Sequence, residues 1–318
     1  MTGSPAPLYD DVAGGPPGGA ALWLSCTDGV RIRVGFWRPE AAAHGTVLLF
    51  PGRTEYIEKY GPAAADLAAR GFATLAIDWR GQGLADRVTD DPHVGHVAHF
   101  PDYQRDVAAA LEAAVRLDLP RPFHLLAHSM GGCIGLRALM EGLPVDSAVF
   151  SGPMWSISLP GGLRPVAYAA AYLGPLLGLG GRPMPTTGRQ NYVEKQEFEG
   201  NSLTTDAEMY AMMQRQLAAH PELGIGGPTL RWMHEALTET AHLARQPAPD
   251  LPCLTLLGSC ESIVCTDTIR SRMQGWPKGR LEIVEGARHE VMMEGPETRA
   301  LLFDQIAALF SDPSRADV

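Results

Sequence analysis

The chain has no surplus of positive charge: 26 Lys and Arg stand against 36 Asp and Glu in 318 residues, a formal net charge of −10. Binding to a phosphate backbone depends on Lys and Arg neutralising phosphates, so no nucleic-acid partner is expected. The same balance gives no general attraction to anionic lipid, which leaves a local apolar patch as the route to a membrane. Cysteine is sparse. Cys26, Cys133, Cys253, Cys260 and Cys265 contain no Cys-x-x-Cys pair and have no histidine at zinc-like spacing, which excludes a structural zinc site and suits free thiols in a reducing compartment. The first twenty residues lack a basic stretch followed by an apolar one, so no secretory leader is expected and a cytoplasmic location follows. Long apolar runs are missing too. The most apolar stretch, residues 163–180, includes Arg164, two prolines and repeated glycines, and is short for a membrane span. It reads instead as a surface that touches lipid transiently.

What is present is ample material for a core, with 45% hydrophobic and 19% charged residues. Residues 1–20 are rich in Gly and Pro and are expected to be irregular. Short apolar runs over 21–37, broken at Asp28-Gly29, predict an antiparallel hairpin at a sheet edge. The run Gly45-Thr46-Val47-Leu48-Leu49-Phe50 ends at Pro51-Gly52 and predicts a buried, central strand. Helical spacing over 60–70 and again over 102–117 alternates with strand patterns at 72–77 and 123–127, and a further helix is expected from Gly131 to Glu141. Such alternation predicts an α/β fold with a mostly parallel central sheet and helices on both faces. From about 153 to 244 the alternation stops in favour of helices over 163–177, 206–220 and 229–244. Strand patterns resume at 253–257 and 281–284 before an amphipathic helix over 296–310. The expected organisation is a core of 21–152 and 245–318 with a helical cap of 153–244 inserted.

The chemistry centres on Ala127-His128-Ser129-Met130-Gly131-Gly132, where a strand runs through Ser129 directly into a helix. A serine hydroxyl is a weak nucleophile until a base takes its proton, and such a sharp strand-to-helix elbow needs small flanking residues for the two backbones to approach. Gly131 supplies this, and Ala127 stands where a first glycine is usual. The backbone N–H of Met130 at the helix start, with that of Arg53 in the turn after Phe50, could hold a developing oxyanion, although Pro51-Gly52 is by itself an ordinary turn signal. The base is expected after the last strand, where His289 follows in Gly286-Ala287-Arg288-His289-Glu290. An isolated histidine is more often a surface or core residue, and placement decides for His289. The orienting acid is expected after residues 253–257, with Glu261 favoured and Asp267 in reserve. An apolar acyl site is expected to draw on Trp155, Leu159, Tyr168, Tyr172, Leu176, Met209 and Trp232, although each alone is as well explained by core packing.

Five pieces in this order resemble the α/β-hydrolase superfamily, and within it the lysophospholipase and monoacylglycerol lipase group. They are Pro51-Gly52-Arg53-Thr54-Glu55-Tyr56, Asp78-Trp79-Arg80-Gly81-Gln82-Gly83, the elbow, Phe198-Glu199-Gly200-Asn201-Ser202-Leu203-Thr204, and residues 286–290. The piece at 198–204 resembles the bacterial lysophospholipase branch, as does Pro51 where a histidine is common in animal monoacylglycerol lipases. Glu261 departs from the commoner Asp. The resemblance implies an α/β-hydrolase fold with a helical cap over Ser129, and hydrolysis of a lipid carboxylic ester through an acyl-enzyme without a cofactor. A carboxylesterase for short or xenobiotic esters, and a ligand-binding homologue that has lost the reaction, are the competing readings. Ser129 excludes the dehalogenase and epoxide hydrolase chemistries, which place Asp at the elbow.

Overall fold

Alternating apolar side chains on the central strands divide the core into two halves, one on each face of a single sheet. In the computed structural model, which describes residues 3–40, 42, 44–158, 162, 164–185 and 187–312, nine strands form that sheet. They are β1 (Ser4–Ala6), β2 (Ala20–Ser25), β3 (Arg31–Trp37), β4 (Thr46–Phe50), β5 (Ala73–Asp78), β6 (Phe123–His128), β7 (Ala148–Ser151), β8 (Cys253–Gly258) and β9 (Gly279–Val284). Their order is β1-β2-β3-β5-β4-β6-β7-β8-β9. Pairs from β1 to β5 through β2 and β3 are antiparallel, and every pair from β5 to β9 is parallel. The hairpin falls where Asp28-Gly29 predicts it, and β4 lies in the middle of the sheet.

On β4, Leu48 and Phe50 face one half of the core together with Leu125 and Ala127 of β6, while Val47 and Leu49 face the other with Leu126. The first half is covered by α3 (Tyr103–Arg116), α4 (Met130–Met140) and α9 (Thr266–Gln274), and the second by α2 (Gly61–Ala69) and α10 (Pro296–Ser311). Truncating a fully buried side chain such as Phe50 to Ala costs about 3–5 kcal/mol in a core of this kind.

Between β7 and β8 lie α5 (Arg164–Leu176), α6 (Tyr192–Lys195), α7 (Ala207–Ala219) and α8 (Leu230–Leu243). Side-chain caps start three of them. Asn191 with Glu194 forms a capping box on α6, Asp206 accepts from the Met209 N–H, and Thr229 accepts from the Trp232 N–H. Among the described residues, no helix is long and apolar enough to cross a membrane.

The start of the chain departs from the irregular segment expected of it. Ser4–Ala6 adds an edge strand to β2, where Pro5 is tolerated, and α1 (Asp10–Ala13) follows. Distant partners hold both: Arg33 donates to the Pro7 carbonyl at 2.9 Å, and the Tyr9 ring stacks on His220 at 3.7 Å. No local sequence signal carries such contacts. The four-residue strand β7 and the helix α9 were likewise not foreseen.

Candidate active site

Ser129 lies between β6 and α4 with φ 50° and ψ −117°, a conformation that costs a non-glycine residue about 1–3 kcal/mol. Three backbone hydrogen bonds hold it there. Its N–H donates to the Ser151 carbonyl at 3.0 Å, and its own carbonyl accepts from Gly132 at 2.9 Å and Met154 at 2.8 Å. A Cβ at position 131 would stand 2.1 Å from the Phe50 carbonyl oxygen, so the close crossing of α4 over β4 requires glycine. The fully buried Ala127 sits in β6 without displacing the turn.

The loop after β9 brings His289 to this serine. Nε2 stands 2.9 Å from Ser129 Oγ, and Nδ1 stands 2.6 Å from Glu261 Oε2 on the loop after β8. A carboxylate only accepts, so Nδ1–H donates to Glu261, and in the neutral imidazole Nε2 is left to accept the Ser129 hydroxyl proton. The other Glu261 oxygen accepts from the Ile263 and Val264 N–H groups at 2.6 and 3.2 Å. Burial alone would raise the Glu261 carboxyl, but the hydrogen bond and charge of His289 with these two amides hold it below the ordinary carboxylate value. Asp267, the reserve candidate, is exposed in the first turn of α9. Gly152, at φ 47°, closes over the pair: a Cβ there would meet His289 Nδ1 at 3.1 Å and Glu261 Oε2 at 3.3 Å.

The turn after β4 is braced from both sides by a motif whose role the sequence did not disclose. Gln82 donates to the Gly52 carbonyl at 3.0 Å and accepts from the Thr54 N–H at 2.9 Å, while the Trp79 ring N–H donates to the Pro51 carbonyl at 2.9 Å. The Gly52 N–H is taken by the Glu55 carboxylate. Between them the Arg53 N–H has no partner among the described residues. Met130 opens α4, so its N–H has no carbonyl one turn back within the helix.

Beneath these loops lies a buried ionic cluster. Lys59 donates to Glu55 at 2.7 Å and to Glu290 at 2.6 Å, and His128 Nε2 stands 3.2 Å from Glu290. His128 Nδ1 donates to the Ser151 carbonyl at 2.9 Å, and the Glu290 carboxylate beside the other nitrogen favours the ring that carries both protons. Burial opposes the charge, but Glu290 and Glu55 together raise His128 above the ordinary histidine value. Glu290 in turn is held well below the usual carboxylate range by His128 and Lys59, against its burial. Two carboxylates thus balance two cations. Glu55, His128 and Glu290 offer ligand atoms within 4.8 Å of one another, as a metal would need, but the Lys59 ammonium already binds both carboxylates. His128 adjoins Ser129, Glu290 adjoins His289, and Glu55 lies two residues from Arg53, so the cluster ties three loops together.

The insertion adds the piece at 198–204. Asn201 accepts from the Leu203 and Thr204 N–H groups, and the Ser202 and Leu203 carbonyls accept from the N–H groups of His289 at 3.4 Å and Glu290 at 2.8 Å. A cavity of about 420 Å³ opens between insertion and sheet, lined by Ser129, His289, Arg53, Met154, Ile157, Ser202, Leu203, Met213, Leu217, Trp232, Met233, Ile263 and Val264 among others.

Of the seven expected lining residues, the cavity takes Trp232. Trp155 is instead core, its ring packed on Phe150 and Trp276. Tyr168 is half-buried against the core and stacks on Tyr172, which is exposed and meets the edge of His234. Leu176 points to solvent, 81% exposed, and Met209 packs with the cluster around Tyr210. Leu159 lies outside the described residues. Helical spacing marks an apolar stripe without telling which neighbour it faces, and α5 meets α8 rather than the cavity. Met154, Ile157, Met213, Leu217 and Met233 were missed, and no signal in their spacing separates them from core.

The sequence profile of the serine aminopeptidase S33 family matches residues 41–296. The chain is 32% identical over 303 residues to lysophospholipase L2 of Escherichia coli strain K12, covering 88% of this chain and 84% of that protein. It is 31% identical over 264 residues to the probable lysophospholipase L2 of Haemophilus influenzae, covering 82% of each. A soluble variant of the monoglyceride lipase of Saccharomyces cerevisiae, crystallised with a substrate analogue, superimposes with a TM-score of 0.68 at 21% identity, covering 90% of this chain and 93% of that one. With its mostly parallel sheet, its serine at the β6–α4 elbow and these matches, the chain belongs to the serine aminopeptidase S33 family of α/β-hydrolases.

Proposed function

We propose that the protein hydrolyses carboxylic esters of lipids, lysophospholipids or monoacylglycerols, through an acyl-enzyme on Ser129. The observation that carries this reading is the continuous relay Ser129 Oγ, His289, Glu261, whose first two members line a largely apolar cavity. The kinship with lysophospholipases supports the lipid ester as substrate. Ser129 Oγ attacks the ester carbonyl while its proton passes to His289 Nε2, and Glu261 stabilises the imidazolium that forms. The N–H groups of Arg53 and Met130 hold the oxyanion. As the tetrahedral intermediate collapses, the carbon–oxygen bond to the alcohol breaks and that oxygen takes the proton from His289. Water then gives its proton to His289, attacks the acyl carbonyl and releases the fatty acid, and Ser129 regains its proton.

An aminopeptidase would need a free carboxylate in the cavity for the substrate's terminal ammonium, and Glu55 and Glu290 are already committed to Lys59 and His128. Leu173, Leu176, Leu177 and Leu179 form an exposed apolar patch on and after α5, which supports transient contact with a lipid surface as the source of substrate. The test pairs a fluorophosphonate probe with a panel of lysophosphatidylcholine, monoacylglycerol and p-nitrophenyl esters of rising chain length. Wild type is expected to label and to prefer long acyl chains, and Ser129→Ala to do neither. Labelling that survives in Ser129→Ala, or a rate maximum at acetate or butyrate, overturns the proposal.

A further inference from the structure

Among the described residues, most charges around the cavity are cancelled within the protein, and one cation is not. Arg53 lines the cavity beside Ser129 and His289, yet its side chain makes one hydrogen bond, to the Gly226 carbonyl at 3.1 Å, and otherwise faces the Trp232 ring 5.4 Å away. A guanidinium has five N–H donors in a fixed fork. The buried Arg33 and Arg80 satisfy theirs with carboxylates, Glu58 and Asp78 for the first and Asp106 and Asp28 for the second. No carboxylate among the described residues does this for Arg53. Glu55 is bound to Lys59, Tyr60 and the Gly52 N–H; Glu290 to Lys59 and His128; Glu261 to His289 and two amides. Burial lowers the Arg53 guanidinium from its ordinary value to about 10, which still leaves it charged at neutral pH.

A half-buried cation without a carboxylate partner is a ready site for a ligand that brings the opposite charge. We propose that the Arg53 side chain is the site's recognition group for a phosphate, and that the substrate served best is therefore a phosphate-bearing acyl ester of the lysophospholipid class. The inference rests on the lipid-ester reading above and narrows it. The fork matches two phosphate oxygens, and the weak hydration of a guanidinium suits a half-closed cavity. Position supports the same partner. Arg53 sits in the turn after β4 and lines the same cavity as Ser129, and in a glycerol-linked phosphate ester the phosphate is only a few bonds from the carbonyl. The apolar Met154, Ile157, Ile263 and Val264 remain for the acyl chain.

The experiment measures kcat/KM for lysophosphatidic acid, lysophosphatidylcholine and monoacylglycerol of one acyl chain, in the same detergent, for wild type, Arg53→Met and Arg53→Lys. Wild type is expected to prefer the phosphate esters by about tenfold or more, the scale of one charge-assisted contact. Arg53→Met is expected to lower the ratio of phosphate ester to neutral ester by about 10–100-fold, and Arg53→Lys, a point charge without the fork, to fall between. Glycerol 3-phosphate is expected to inhibit cleavage of the neutral ester competitively, and more strongly than inorganic phosphate does. An unchanged ratio in Arg53→Met overturns the proposal while leaving lipid-ester hydrolysis intact. Equal inhibition by inorganic phosphate, with no preference for phosphate esters, overturns the headgroup assignment in favour of a free-anion site. Cleavage of neither lipid by wild type overturns the underlying reading and this one with it. Should Arg53→Met fail to take the fluorophosphonate, the wild-type preference and the inhibition decide, and absence of both overturns the proposal.

Discussion

Replacing Glu290 by Gln removes one of the two carboxylates that balance Lys59 and His128 while keeping the side chain's shape. At pH 6 the variant keeps two buried cations against Glu55 alone. Breaking one partner of a buried ionic set costs about 3–5 kcal/mol, and His128 modulates that cost. In wild type its folded pKa lies above the unfolded value, with Glu290 as the main favourable cause. Its stabilisation is therefore fully present below the ordinary histidine pKa of about 6.5 and is lost as pH rises through the raised value. In the variant the ring sheds its proton as pH rises and so relieves the imbalance. The expected destabilisation is about 4 kcal/mol at pH 6, shrinking to about 2 kcal/mol at pH 9, where the Lys59 contact remains. The stabilisation of Glu290 itself is present above the usual carboxylate pKa and lost only as pH falls through its lowered value, so it does not tilt this window. Urea titrations of both proteins at pH 6, 7.5 and 9 measure the difference. A difference that is flat with pH, or larger at pH 9, refutes a charged His128 in the cluster; a loss under 0.5 kcal/mol at every pH refutes the cluster's role altogether.

Glu261→Gln is expected to lower kcat by about 10³–10⁴, because it cannot hold the same imidazole tautomer, while Asp267→Asn stays within about twofold on the same ester assay; the reverse order would return the acid role to Asp267. Gly152→Ala places a Cβ 3.1 Å from His289 Nδ1 at φ 47° and is expected to cost about 10–100-fold in kcat with little change in KM, read by steady-state kinetics; wild-type kcat would mean that the pair has slack. Leu176→Asp with Leu177→Asp is expected to abolish flotation with zwitterionic vesicles and leave cleavage of a soluble p-nitrophenyl ester untouched; undiminished flotation would remove the patch from membrane contact.

Much of the fold was legible because period and punctuation agree. The run into Phe50 carries four apolar residues in a row, Val47 to Phe50, and stops at Pro51-Gly52, and the structure places it in the centre of the sheet. Ser129, His289 and Glu261 each follow a strand closely, and chain order alone singled out residues that the structure brings within hydrogen-bond reach. Side-chain direction was less legible. The apolar spacing of α5 is genuine, but it turns Leu176 to solvent and Tyr172 to the surface, since periodicity defines a face and leaves its neighbour open. Charge partnerships were hidden almost entirely. Nothing local links Lys59 to Glu290, 231 positions away, or marks Gln82 as the clamp on both sides of Arg53.

The contact between the 198–204 piece and the histidine loop limits how the insertion can move. The Ser202 and Leu203 carbonyls hold the backbone of His289 and Glu290, and Arg288 donates to the Thr204 carbonyl at 3.0 Å. A cover that swung away as one body would pull the proton acceptor off the serine each time it admitted a molecule. The 198–204 segment is thus fastened to the histidine loop, whereas the apolar surface on and after α5 has no backbone ties to that loop among the described residues.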